Sequence, residues 1–286
     1  MSKVRRKRPL ILISEDYDPD AWRTLDEGET EFQSWAAVAQ DIWGRGCFGP
    51  GQAKAAREGA NGLTINKTQI LGAVGCGVGG VAPIASGLGA YIEVFESDPA
   101  LLAYEQQDPG ASGKFLKLAA WAPQKPELRA DRYHGLMAFR ALSAAADPAP
   151  IAKALAAAVK PSGRLFSDEI YAPDPSVAAL IAQAIAAPGQ KFFFHAHDVA
   201  MEAFAAGNLE PRSKATANEE LLNEIREGLA RSQDMAQQLK AIPQPFRKQR
   251  MTAFADELQR AAVLHQALEK GLVTAVRTIH YKARTL

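Results

Sequence analysis

The stretch Gln69-Ile70-Leu71-Gly72-Ala73-Val74-Gly75-Cys76-Gly77-Val78-Gly79-Gly80, residues 69–80, runs from an apolar segment directly into a glycine cluster. A short apolar run that ends in glycines reads as a buried parallel strand followed by a tight turn. Residues 81–88 read as the helix that follows, with Pro83 in its first turn. Glycines at such a junction reach backbone conformations closed to other residues. They also let a ligand approach the main chain at the helix N-terminus.

Downstream, Tyr91-Ile92-Glu93-Val94-Phe95 reads as a second strand that stops at Glu96, about 20 residues beyond the loop, where dinucleotide-binding folds hold ribose hydroxyls with a carboxylate. Asp98-Pro99 has the composition of a helix start, an aspartate cap followed by proline at the first helical position. Residues 115–118 and 133–139 read as third and fourth strands. Residues 150–159 read as an alanine-rich helix, Lys160-Pro161-Ser162-Gly163 as a turn, and 164–167 as the next strand. A helix is expected over 176–186, and another over 199–206 with Asp198 as its cap. Strands alternating with helices imply a mainly parallel sheet covered on both faces.

Upstream, Phe32, Trp35, Ala36, Val38, Ala39, Ile42 and Trp43 recur at helical spacing, and the glycine-rich segment 44–51 breaks that helix before another at 52–60. From Asn218 the texture becomes that of two long charged helices, separated at Pro243 and Pro245. Leu221, Ile225, Leu229 and Leu239 mark the apolar face of the first, and Met251, Phe254, Leu258, Ala262 and Leu268 that of the second. Gly271 ends the pair, and 272–281 reads as a final edge strand.

The chain has 286 residues, 47% hydrophobic and 23% charged, with a formal net charge of +1. Such a body suits one large α/β domain and carries no global basic field for a nucleic-acid backbone, so RNA modification is disfavoured. The basic cluster at 3–8 is the exception, suited to a solvated arm or to an acidic lipid, RNA or protein surface. Two cysteines, Cys47 and Cys76, argue against a disulfide framework and for a reducing cytoplasm. The apolar run 10–13 is too short for a signal-peptide core or a membrane span.

Three further constellations are weak. His195-Ala196-His197-Asp198 could contribute to a metal site but reads more simply as a strand end before a helix, so no metal is assigned. Cys47 reads as a small buried apolar residue rather than a nucleophile. Residues 16–20, with four polar or acidic side chains around Pro19, read as a solvated loop rather than a cation site. Trp22, Trp35, Trp43 and Phe48 could form a lid over a pocket, with Trp35 the most core-like.

Four stretches together resemble the S-adenosylmethionine-dependent class I methyltransferases. They are residues 73–80, the strand end Ile92 to Pro99 with Glu96, the strand 133–139, and 155–166 with its Val159-Lys160-Pro161-Ser162-Gly163 turn. The nearest resemblance is to small-molecule enzymes acting on phosphoethanolamine, sterols and related compounds, which place an aromatic-glycine segment like 43–51 before the first strand. A nicotinamide-binding Rossmann domain is the competing reading; the lysine-proline turn and the long helices before the last strand favour the methyltransferases.

The resemblance implies a Rossmann-like, doubly wound, mostly parallel seven-stranded sheet with helices on both faces and a helical insertion before the last strand. It divides the chain into an arm at 1–30 and a methyltransferase-like domain at 31–286. That domain comprises a cap at 31–66, a core at 67–213, an insertion at 214–271 and a final strand at 272–286. It implies S-adenosylmethionine as cofactor, held around Gly75, Cys76, Gly77, Gly79, Glu96, Ser97, Ala120 and Ala138, with Trp43 and Phe139 near a small-molecule substrate. No catalytic residue is assigned.

The sequence departs from the family where its carboxylates stand. Ala73 lies two before the first glycine, Leu118-Ala119-Ala120-Trp121 follows the third strand, and Tyr133-His134 opens the fourth. Each missing charge-assisted hydrogen bond is worth about 1.5–3 kcal/mol, so two losses weaken cofactor binding about a hundredfold. The alternative is therefore a degenerate methyltransferase with little or no turnover, serving as a regulatory or assembly partner. Its long helices would then offer a homodimer seam or a protein-binding face.

Overall fold

A computed structural model describes residues 31–75, 80, 81, 84, 87, 89–106, 116–242 and 246–283. The basic cluster at 3–8, the acidic run at 16–20 and Trp22 lie outside the described residues, as do Cys76, Gly77 and Gly79.

Helices α1 (Glu31–Trp43) and α2 (Gln52–Gly62) precede β1 (Ile70–Val74), and Gly80, Val81, Ile84 and Gly87 are helical beyond the glycine loop. Then come β2 (Tyr91–Glu96), α3 (Pro99–Gln106), β3 (Leu116–Ala120), β4 (Tyr133–Phe139), α4 (Ala149–Ala158) and β5 (Val159–Tyr171). The chain closes with α5 (Pro175–Ile185), α6 (His197–Ala206), β6 (Leu209–Thr216), α7 (Asn218–Ala241), α8 (Phe246–Glu269) and β7 (Thr274–Lys282).

The strands form one seven-stranded sheet in the order β3-β2-β1-β4-β5-β7-β6. β1 to β5 pair in parallel, and β7 runs antiparallel to both of its neighbours. The sheet is thus doubly wound and mostly parallel, with helices on both faces and the α7–α8 pair inserted before the last strand. Strand order reverses between β1 and β4, which is where open α/β sheets hold ligands beyond the carboxyl ends of their strands.

Side chains alternate across the sheet, so each strand feeds two cores. Leu71, Ala73, Ile92, Val94, Met137 and Phe166 pack beneath Ala55 and Ala56 of α2. Leu136, Ala138 and Leu165 pack on the opposite face with Ile151 and Leu155 of α4 and Phe204 of α6. A third cluster, with Trp35, Ile42, Leu221, Ile225 and Leu264, joins α1 to the α7–α8 pair.

Four expectations are corrected. The final strand is not at the edge: β7 lies between β5 and β6, and the edge belongs to β6. β6 is illegible as a strand because only Leu209 of its eight residues is buried and Pro211 interrupts its register. The turn at 160–163 is drawn into β5 as an irregularity: Tyr133 pairs with Val159 and Gly135 with Arg164, and Ser162 takes a left-handed φ of 67°. Asp198 lies in the first turn of α6 rather than capping it, since Ala196 holds the cap position. Finally, the buried stripe of α8 is Arg250, Ala253, Glu257, Ala261, Leu264 and Leu268, with Phe254 and Leu258 half-buried beside it, while Met251 is 46% exposed. Charged residues at two stripe positions displaced the apparent apolar face.

Candidate functional site

The carboxyl ends of β1, β2 and β4 meet at Gly75. Its φ is +74°, its N–H donates to Phe95 O at 3.1 Å, and a Cβ there would collide with the carbonyl oxygen of Phe139. Both the backbone conformation and the close approach of β4 therefore require glycine.

Glu96 ends β2 and is 5% exposed. Its Oε1 accepts from the N–H groups of Ser97 (2.7 Å) and Asp98 (3.0 Å), which turn the backbone over the carboxylate. Burial pushes its pKa up to about 7, against the pull of those two N–H groups. Asp98 accepts from Ala100 N (2.8 Å) and Leu101 N (3.2 Å), so the first turn of α3 is capped as its sequence implied.

Ala120 stands opposite Glu96 on β3 and is exposed. The next residue, Trp121, donates its backbone N–H to Glu96 O at 2.9 Å and buries an indole whose Nε1 has no acceptor among the described residues. Ala73 is fully buried in the sheet.

Ala138 and Phe139 point to opposite faces. Ala138 is buried among Val74, Trp121 and Leu142, and Phe139 stacks on Phe166 at 5.9 Å. Phe139 thus borders the site through its carbonyl. Trp43 is 8% exposed, pressed against Gly228, with Nε1 donating to Glu257 Oε1 at 2.6 Å. Trp35 donates to Glu257 Oε2 at 2.8 Å, and Arg260 Nε to the same oxygen at 2.9 Å. One buried carboxylate on α8 therefore fixes both indoles of α1.

Sequence reasoning missed a charged group beside the switch point. Arg277 of β7, 5% exposed, donates from Nε to Asp168 Oδ1 (2.8 Å) and from Nη1 to Glu58 Oε2 (2.7 Å) and Glu220 Oε1. Glu169 is buried, accepts from Leu142 N at 3.0 Å and from Ser143 Oγ at 3.4 Å, and burial pushes its pKa up to about 8. Arg140, the first residue after β4, has a left-handed φ of 51°. Its N–H donates to Asp168 O (2.7 Å) and its Nη2 to Pro50 O (2.8 Å). The available signal was charge inside otherwise apolar strands, since such residues are seldom buried without a partner.

His195, His197 and Cys47 are engaged in packing and hydrogen bonding. His195 Nε2 lies 3.0 Å from Leu142 O and 3.1 Å from Ala145 O, so that nitrogen carries a proton and donates. His197 packs edge-on against Tyr171 at 5.0 Å. Among the described residues no group of three or more His, Cys, Asp or Glu could hold a metal. Burial pushes the Cys47 thiol up to about 12, which leaves no thiolate at neutral pH. No helix among the described residues is long and apolar enough to cross a membrane.

No family model matches the chain, and no curated protein does. Solved structures do. Phosphoethanolamine N-methyltransferase 2 of Haemonchus contortus, complexed with phosphomonomethylethanolamine and S-adenosylhomocysteine, aligns at a TM-score of 0.70 and 13% identity. The alignment covers 93% of this chain and 61% of that one. Geranyl diphosphate C-methyltransferase of Streptomyces coelicolor A3(2) aligns at 0.60 and 12% identity, over 80% of this chain and 77% of that one. The [4+2]-cyclase SpnF aligns at 0.60 and 12% identity, over 82% of each.

Proposed function

We propose that this chain, whose fold is that of the class I S-adenosylmethionine-dependent methyltransferases, binds S-adenosylmethionine at the β1–β4 switch point and methylates a small molecule. Glu96 carries the reading. A carboxylate at the end of β2, fixed by two backbone N–H groups beside an obligatory glycine turn, suits the paired hydroxyls of a ribose. The donor set fits the ribose end of the cofactor, and the fold's neighbours include complexes with S-adenosylmethionine and S-adenosylhomocysteine.

The bound cofactor supplies an electrophilic methyl group on a sulfonium. This chain's residues bind and orient: Glu96 accepts ribose hydroxyls, Gly75 lets the main chain approach, and Trp121 closes the sheet below Glu96. Methyl transfer to a good nucleophile depends mainly on proximity and orientation, so a dedicated base is not required. A cytoplasmic location is part of this reading.

A second reading, a fold kept for regulatory or assembly contacts, is favoured by one observation. The positions of Ala73 and Ala120 offer no charge to the cofactor's amino group or adenine. Calorimetric titration with S-adenosylmethionine separates the two. Micromolar binding that weakens at least tenfold in Glu96→Ala supports the first, and no heat at millimolar ligand supports the second.

A further inference from the structure

Arg140 is an anomaly among the charged groups. Arg277 next to it engages three carboxylates, whereas among the described residues Arg140 makes one side-chain hydrogen bond, to the carbonyl of Pro50, and lies within ion-pair distance of no carboxylate. The acids that face it are committed elsewhere. Asp168 is taken by Arg277, Glu169 by Leu142 N and Ser143 Oγ, and Glu224 by Gly51 N at 2.8 Å. Desolvation lowers the pKa of Arg140, with Asp168, Glu169 and Glu224 opposing that shift and Arg277 adding to it. A buried guanidinium has five N–H donors and is costly to leave with few of them directly paired.

Its placement is equally specific. Arg140 directly follows Phe139, whose carbonyl abuts Gly75, so it stands at the end of β4, one residue from that contact. Its left-handed backbone is a strained choice for a long side chain, of the kind that structures keep where a side chain must be aimed. The 44–51 loop grips one edge of the guanidinium through Pro50 O, and Gly49 packs so closely that a Cβ there would lie 3.3 Å from Nη1. Arg140 as a whole is half-buried, while its guanidinium is desolvated.

We propose that Arg140 binds the anionic group of the methyl acceptor, so that the substrate is a small molecule carrying a carboxylate or a phosphate. This rests on the reading of the switch point as a cofactor site. The planar fork accepts two oxygens of either group side by side, which fixes the acceptor's orientation as well as its charge. Arg140 is then a specificity-determining residue, and the grip of Pro50 on its other edge sets the angle of the fork.

The test titrates the protein, alone and saturated with S-adenosylhomocysteine, with three amines. Sarcosine carries a carboxylate, phosphoethanolamine a phosphate, and ethanolamine neither. We expect at least one acidic amine to bind tenfold or more tighter than ethanolamine, and the stronger of the two to identify the anion. Arg140→Asn, whose side chain tolerates the left-handed backbone, should abolish that preference, and Arg140→Lys should keep part of it. Equal binding of all three amines, no binding of either acid, or a preference that survives in Arg140→Asn would overturn the proposal. Failure of S-adenosylhomocysteine to bind would instead strike the cofactor reading. The titrations of the free protein would still decide the role of Arg140.

Discussion

The backbone of Gly75 lies directly against the carbonyl oxygen of Phe139, so the turn that ends β1 and the end of β4 share a gap that admits no side chain. Gly75→Ala adds both a steric collision and the strain of a φ of +74°. Left-handed strain alone costs about 1–3 kcal/mol. Urea unfolding should show a loss in the upper part of that range. Stability within 0.5 kcal/mol of wild type would mean that the turn is not built this way.

Glu257 predicts a mechanical coupling between α1 and α8. Its carboxylate accepts from Trp35, Trp43 and Arg260 inside the core. Removing one partner of a buried charged network costs about 3–5 kcal/mol. Glu257→Ala should fall in that range and shift tryptophan emission, whereas Arg260→Ala, which leaves both indoles bonded, should cost less. Equal losses would point to the arginine as the principal partner.

Glu169 ties stability to alkaline pH. Its folded pKa of about 8 lies above the ordinary value of 4.5, so its contribution is fully present below pH 4.5 and is lost as pH rises through 8. The loss is on the order of 5 kcal/mol at about 1.36 kcal/mol per unit. Glu169→Gln, which keeps an acceptor for Leu142 N, should remove that part of the slope. It should therefore gain on wild type between pH 5 and pH 9. A constant difference across that window would show that Glu169 is ionised throughout.

His280 works in the opposite direction. It is fully buried, contacts Ser167 Oγ at 3.2 Å, stacks on Phe204 at 4.5 Å, and has its pKa lowered by burial to about 4. The unfolded chain protonates near 6.5, so stability is present above that pH and lost as pH falls towards 4, by about 3 kcal/mol. His280→Gln should flatten the acid limb of the stability curve. An unchanged limb would assign acid sensitivity elsewhere.

The legible part of this fold was local. The run 69–80, the strand ending at Glu96 and the Asp98-Pro99 helix start each declare themselves within a dozen residues, and the structure brings β1 with Gly75, the end of β2 and the start of α3 together at the switch point. The hidden part was long-range or disguised. β6 is a polar edge strand with a proline, so no alternation marks it. The stripe of α8 includes Arg250 and Glu257, which are legible as core only once Trp35 and Trp43 are seen to face them. Arg140 meets Pro50 across 90 residues and Arg277 meets Asp168 across 109, separations over which one sequence carries no pairing signal.

The central claim is that Glu96 holds a ribose, and its titration provides the sharpest test. Two donating hydroxyls favour the ionised carboxylate, so ligand binding should expel the proton held with a pKa of about 7. The measurement is calorimetric titration with S-adenosylhomocysteine at pH 6 and pH 8, for wild type and Glu96→Gln. The account predicts wild-type affinity about tenfold higher at pH 8 with proton release at pH 6, and a weaker, pH-independent variant. Binding that ignores both pH and the substitution, or no binding at millimolar ligand, would contradict it.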